Sequence, residues 1–141
     1  MKSFVEFLSE NMNVNESMAE PNAFVILKPE FLTYDQEWKN LIKDRGWNFI
    51  NSEKITLTPE QAKDVYEPHK DKDFYDDLCN YMTSGECICC TCHKACEDPI
   101  EDMKTIKDEV RDKWGIDDMK NVMHSSDSLE NVKRESEICL R

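Results

Sequence analysis

Short apolar runs alternate along this chain with segments that begin and end like helices, and this order constrains the possible folds most strongly. The clearest strand is Ala23–Leu27 (Ala-Phe-Val-Ile-Leu), a continuous β-prone run that predicts a central buried strand. Lys28-Pro29 ends it, because proline cannot donate to a sheet ladder. The clearest helix start is Thr58-Pro59-Glu60-Gln61, where threonine and glutamine can form a capping box and proline suits the first helical position.

The complete order of elements predicts an α+β fold. We expect strands at 23–27, 47–56, 87–91 and 120–123, and helices at 34–45, 59–66, 74–82, 98–113 and 128–138. Gly46 and Gly85 follow the ends of two of these helices, where glycine is favoured. The order β-α-β-α-α-β-α-β-α fits a ferredoxin-like β-α-β-β-α-β core with an added helical pair. In such a fold a four-stranded antiparallel sheet is covered by helices.

Length and patterning indicate one folded domain behind an N-terminal extension. Residues 1–21 are acidic, rich in Asn, Ser and Glu, and weakly patterned, so we expect a flexible extension. Residues 22–141 carry the periodic pattern and are the expected domain, a size that can bury a core. No apolar run is long enough to cross a bilayer and no signal-peptide pattern is present. We therefore expect a cytoplasmic protein with no membrane partner.

The formal net charge of −12 narrows the classes of ligand. Such a surface repels nucleic acid over long distances, so no nucleic-acid partner is expected. A nucleotide is compatible with this charge, because a few cations and backbone N–H groups in one cleft can bind it, often with Mg²⁺ on the phosphates. The acidic surface also leaves open an alternative from another class, a protein-interaction module.

Five of the seven cysteines fall between Cys87 and Cys96, which allows two interpretations. Their spacing, together with His93, resembles that of zinc ligands. A strand, however, sends alternate side chains to opposite faces, so Cys87 and Cys89 should face one way and Cys90 and Cys92 the other. We therefore expect free thiols in a reduced compartment and no metal ligands, with a small zinc-binding domain as the weaker alternative.

His124 is the strongest candidate for chemistry. It stands in Asn121-Val122-Met123-His124-Ser125-Ser126-Asp127-Ser128, between an expected strand and an expected helix. Backbone N–H groups and the helix dipole at such a junction favour an anion. Glu135 lies 11 residues further on, and its carboxylate can reach the imidazole if the helix folds back along the strand. The pattern predicts a phosphate-accepting histidine.

The same residues resemble the active-site signature of nucleoside diphosphate kinases, which reads Asn, two apolar residues, His, Gly, Ser, Asp, Ser and then an acidic residue in the next helix. Only Ser125, in place of Gly, departs from it. The resemblance extends over about Asn22 to Leu140. Four further matches occur in the family's order: Lys28-Pro29 after the first strand, Tyr66 with Lys70-Asp71 and Phe74, Tyr81-Met82-Thr83-Ser84-Gly85, and Arg111 ten residues before Asn121.

The resemblance implies a function and a role for each matched residue. The family transfers the γ-phosphate of ATP or another nucleoside triphosphate to a nucleoside diphosphate by a ping-pong mechanism, with Mg²⁺ bound through the phosphates. It implies that His124 is the nucleophile, supported by Glu135 and Ser126. The implied nucleotide contacts are Lys28, Tyr66 and Arg111 to phosphate, Lys28 and Asn121 to ribose, and Phe74 and Leu78 to the base.

Residues 92–111 depart from the family pattern. The family's first phosphate-binding arginine has no clear match, and Lys104 is the nearest candidate. Most of a loop that usually packs at a subunit interface is missing, so a homo-oligomer is compatible with the sequence but the usual hexamer is in doubt. A nucleotide-binding pseudo-enzyme on the same fold is the nearest alternative to an active kinase.

Overall fold

The computed structural model describes residues 19–140, which contain four strands and five α-helices. The strands are β1 Ala23–Leu27, β2 Asn48–Ile55, β3 Cys87–His93 and β4 Met123–Ser125. The helices are α1 Asp35–Asp44, α2 Pro59–Val65, α3 Tyr75–Met82, α4 Pro99–Trp114 and α5 Leu129–Cys139. Short 3-10 turns at Leu32–Tyr34 and Glu67–His69 complete the secondary structure of this part of the chain.

The strands form one antiparallel sheet in the order β2-β3-β1-β4. Ile26 in β1 stands opposite Cys89 on one side and His124 on the other. This order and direction, with α2 and α3 inserted between β2 and β3, form a ferredoxin-like α+β fold and confirm the predicted fold class.

Each face of the sheet packs against its own set of helices. Alternate residues of β1 separate the two layers, with Val25 on the side of α1 and α4 and Ile26 on the side of α2, α3 and α5. The cysteines of β3 divide in the same way: Cys90 and Cys92 lie in the first layer, and Cys87 and Cys89 in the second. The predicted alternation is confirmed, and these thiols are buried core residues without disulfides.

Two local signals placed helix ends correctly. Thr58 and Gln61 form the reciprocal capping box at the start of α2. Gly46 has a φ of 93°, and its N–H donates to the carbonyl of Lys43 while that of Trp47 donates to Ile42. This is the Schellman arrangement, in which glycine accepts the left-handed conformation without a Cβ clash.

The fourth strand lies further along the chain than predicted, at Met123–Ser125 and not at residues 120–123. The Asp117 carboxylate accepts the N–H groups of Met119 and Lys120 and folds the preceding segment into a turn. Val122 then adopts a φ of 83°, so regular pairing begins only after it. Side-chain hydrogen bonding to nearby backbone therefore competes with the expected strand.

The predicted extension, residues 1–21, lies almost entirely outside the described residues. Glu20, near its end, lies beside the sheet, where its backbone carbonyl contacts His93 Nδ1. Asn22, the first residue of the expected domain, donates to the carbonyl of Lys94. No helix in the described part of the chain is long and apolar enough to cross a bilayer.

Candidate active site

A cleft of about 590 Å³ opens where β4 ends, between α4, α5 and the segment that joins α2 to α3. It brings together residues that are far apart in sequence but were predicted from it. Eight of the predicted site residues line the cleft: Lys28, Tyr66, Phe74, Leu78, Arg111, Asn121, His124 and Glu135.

The centre of the cleft is a histidine held by a buried carboxylate. His124 Nε2 lies 2.5 Å from Oε1 of Glu135, whose side chain comes from the second turn of α5. Ser126 Oγ, the other residue predicted to support the histidine, donates to the same oxygen at 2.7 Å. Glu135 is 4% exposed, so its charge is shielded from water and directed at the imidazole. The carboxylate selects the tautomer with hydrogen on Nε2 and leaves the Nδ1 lone pair for another partner.

The backbone before His124 is bent tightly to deliver this side chain. The N–H of Met123 donates to the carbonyl of Asn121 at 3.1 Å around Val122, whose φ of 83° is rare for a β-branched residue. The carbonyl of Val122 accepts the N–H of Lys28, which ties the turn to the end of β1. Such strain persists where the surrounding structure holds it, and it is common beside functional residues.

Three cations converge on the cleft. Lys28 is 4% exposed, and its Nζ donates to Asn121 Oδ1 at 2.8 Å and to the carbonyl of Met119 at 3.2 Å. Burial, followed by the charges of Arg111 and Lys107, lowers the pKa of Lys28 to about 7. Burial is also the main cause that lowers the pKa of Arg111, whose Nη2 donates to the carbonyl of Met123. Mutually repelling, poorly hydrated cations favour an anion between them.

Lys107 lines the cleft although it was not among the predicted residues, whereas the predicted Lys104 does not line it. Lys104 is exposed, and its Nζ lies 3.8 Å from Asp108 Oδ2. Lys107 stands four residues before Arg111 on α4, so the two side chains share one helix face. Burial and the charge of Arg111 lower the pKa of Lys107. Lys104, seven residues before Arg111, lies on this face too, so the spacing along α4 does not distinguish the two lysines.

Two polar atoms at the cleft are buried without a hydrogen-bond partner among the described residues. They are the hydroxyl of Tyr66 and Nε of Arg111. The Tyr66 ring meets the His124 ring edge-on, with 5.4 Å between centroids. Burial, and then the charge of Glu135, raises the pKa of Tyr66 well above its ordinary value. Both atoms are donors that a bound anion can satisfy.

An aromatic surface lies at the mouth of the cleft. Phe74 is 45% exposed although it is a large apolar residue, and its ring lies 5.8 Å from that of His69. Leu78, one turn further on, is buried beneath it in the core. An exposed ring beside a cluster of cations fits a ligand with a flat π-face at one end and negative charge at the other.

The described residues contain no group of three or more His, Cys, Asp or Glu side chains that could hold a metal ion. The cleft-lining carboxylates of Asp118 and Asp127 stand singly along the wall. Among the described residues, these carboxylates do not form a cage for Mg²⁺.

The fold and site define a class: a ferredoxin-like α+β domain with an anion-binding cleft centred on a carboxylate-held histidine. A family model described as nucleoside diphosphate kinase matches residues 21–141. A nucleoside diphosphate kinase of Fervidobacterium nodosum is 32% identical over 125 residues, covering 82% of this chain and 85% of that protein. The human protein named nucleoside diphosphate kinase homolog 5 is 28% identical over 135 residues, covering 84% of this chain and 64% of that protein.

Solved structures show the same fold. The nucleoside diphosphate kinase of Aquifex aeolicus matches with a TM-score of 0.72 at 24% identity, covering 82% of this chain and 92% of that chain. The apo enzyme of Encephalitozoon cuniculi matches with a TM-score of 0.72 at 16% identity, covering 86% and 89%. The chain belongs to the nucleoside diphosphate kinase family.

Proposed function

We propose that this protein is an active nucleoside diphosphate kinase that works through a phosphohistidine at His124. The observation that carries the proposal is the 2.5 Å contact between His124 Nε2 and the buried Glu135 carboxylate. This contact holds the proton on Nε2, so Nδ1 keeps a free lone pair and is the nucleophile.

The transfer proceeds in two half-reactions. The Nδ1 lone pair attacks the γ-phosphorus of a nucleoside triphosphate, the bond from that phosphorus to the β-γ bridging oxygen breaks, and a nucleoside diphosphate leaves. The imidazole then carries a positive charge, which the Glu135 carboxylate stabilises through the Nε2 proton. A second nucleoside diphosphate attacks the phosphohistidine through its terminal oxygen and restores the free histidine. No net proton is consumed, so positioning and charge neutralisation provide the catalysis.

The lining residues divide between the two ends of the nucleotide. The phosphates are placed against Lys28, Lys107 and Arg111, with the unpartnered Tyr66 hydroxyl and Arg111 Nε as further donors. Lys28 and Asn121, already bonded to each other, are placed at the ribose hydroxyls. Phe74 supports the base by stacking, which tolerates different bases because every base has a π-face.

The remaining components follow from this assignment. ATP or another nucleoside triphosphate is the donor, and a bound Mg²⁺ ion would neutralise part of the phosphate charge. A single domain over residues 22–141, a homo-oligomer and a reduced compartment such as the cytoplasm belong to the same proposal. The reduced compartment is supported by the seven cysteines, all of which are free thiols.

Labelling with γ-³²P-ATP and Mg²⁺ tests the proposal. We expect stoichiometric, acid-labile and base-stable label on the wild-type protein, and we expect added nucleoside diphosphate to remove it. His124→Gln should abolish labelling. His93→Gln is the matched control, because His93 lies at the far end of β3 and does not line the cleft.

Other outcomes identify the alternatives. Binding of nucleotide without labelling would replace the proposal with a nucleotide-binding pseudo-enzyme. Absence of nucleotide binding would favour a protein-interaction module.

A further inference from the structure

We propose that Arg134 is a positioning residue that holds both the Glu135 carboxylate and the end of α2 in place for transfer. This inference rests on the proposed function of His124. Arg134 lies in α5 immediately before Glu135, and its side chain is 34% exposed.

The first set of contacts joins α5 to the end of α2. Arg134 Nη1 donates to the carbonyl of Asp64 at 2.6 Å, and Nη2 donates to that of Val65 at 3.2 Å. These are carbonyls of the last turn of α2, where a cation is favoured by the helix dipole. Tyr66 is the next residue, and its ring contacts His124. Arg134 therefore fixes the position of Tyr66 relative to the nucleophile.

The second set of contacts acts on the carboxylate. Arg134 Nη2 lies 3.4 Å from Oε2 of Glu135, while Oε1 accepts from Ser126 and contacts His124. Each carboxylate oxygen thus has its own partner, so the carboxylate cannot rotate without losing one of these contacts. Arg134 Nε donates to Asn131 Oδ1 at 3.0 Å, which fixes the plane of the guanidinium.

The two sets of contacts need a planar group with several N–H donors in fixed positions, which a guanidinium provides. A lysine at this position can supply the charge beside Glu135 but cannot reach both carbonyls and Asn131 together. The charge effect and the clamping effect of Arg134 can therefore be separated by substitution. Glutamine removes the charge, and lysine keeps it.

The experiment is single-turnover labelling of His124 with γ-³²P-ATP at pH 7 over a range of ATP concentrations. We expect Arg134→Gln to lower the maximal labelling rate on the order of tenfold, because the Glu135 carboxylate loses one of its partners. The same variant should raise the ATP concentration needed for half-maximal rate, because the contacts to the end of α2 are lost. Arg134→Lys should restore the wild-type maximal rate while still raising the ATP concentration needed for half-maximal rate. Lys133→Gln, an exposed neighbour on α5, should match wild type in both respects.

Several results would overturn the inference. One is a wild-type maximal rate in Arg134→Gln, and another is an equal loss of maximal rate in the Lys and Gln variants. Thermal unfolding of each variant checks folding. If Arg134→Gln does not fold, Arg134→Lys decides: a raised half-saturating ATP concentration supports the clamp, and a wild-type value overturns it. Failure of the wild-type protein to label would remove the proposed function and this inference together, whereas labelling with wild-type kinetics in both Arg134 variants removes the inference alone.

Discussion

Binding of a nucleotide is expected to bring a proton onto Lys28. In the unliganded protein the pKa of Lys28 is about 7, mainly because the side chain is buried. A phosphate in contact with the ammonium group stabilises its charge, so the pKa of Lys28 rises by a few units in the complex. Because the protonated lysine binds the anion more tightly, linkage requires that protons are taken up on binding.

The size of the effect follows from this pKa of about 7. Lys28 is charged in about nine-tenths of the molecules at pH 6, about half at pH 7 and about one-tenth at pH 8. Complete protonation in the complex then takes up about 0.1, about 0.5 and about 0.9 protons respectively. The affinity for the nucleotide falls accordingly, by about fivefold from pH 7 to pH 8.

Calorimetric titration with Mg-ADP in buffers of different ionisation enthalpy measures the uptake directly. A terminal phosphate with a pKa of about 6 is already ionised at pH 8, so the nucleotide itself contributes little there. Lys28→Met should lose the uptake, and Lys107→Met should keep most of it. Uptake below about 0.3 protons by the wild-type protein at pH 8, or equal uptake by Lys28→Met, would refute the reasoning.

Three further predictions concern α4 and two turns. Lys107→Met should weaken Mg-ADP binding by roughly 10- to 100-fold, since a charge-assisted contact is worth roughly 1.5–3 kcal/mol. Lys104→Met, one turn away and outside the cleft, should bind like wild type in the same titration. Glu30 has a φ of 77°, a left-handed conformation that is strained for a residue with a Cβ. Glu30→Gly should therefore raise the free energy of unfolding in urea by about 1 kcal/mol, and a lower midpoint would contradict this. Gly46→Ala should destabilise it by about 1 kcal/mol, and an unchanged midpoint would count against the Schellman arrangement.

The fold was predictable because its signals are short-ranged. The apolar run of β1, the Thr58–Gln61 capping box and the glycine after α1 each act within a few residues, and the structure contains all three. The fourth strand was misplaced because its boundary depends on the carboxylate of Asp117 and the strained backbone of Val122. Neither feature changes the alternation of apolar and polar residues from which strands are predicted.

The candidate site was predictable in part. His124 and Glu135 are separated by 11 residues along one strand-turn-helix unit, so local geometry brings them together. Lys104 and Lys107 were not distinguishable in the same way. The two lysines lie one turn apart on the same side of α4, and only the packing of that helix decides which turn meets the cleft.

The sequence by itself determined the order of elements, the two-sided burial of β1 and β3, and the histidine-carboxylate pair, because these depend on periodicity and on neighbours along the chain. Tertiary structure alone decided that Lys28 lies beside Asn121, 93 residues away, and that Arg134 holds the end of α2, 69 and 70 residues away. Such contacts form only when separate elements pack together. The burial that lowers the pKa of Lys28 arises in the same step, because it comes from atoms that other elements contribute.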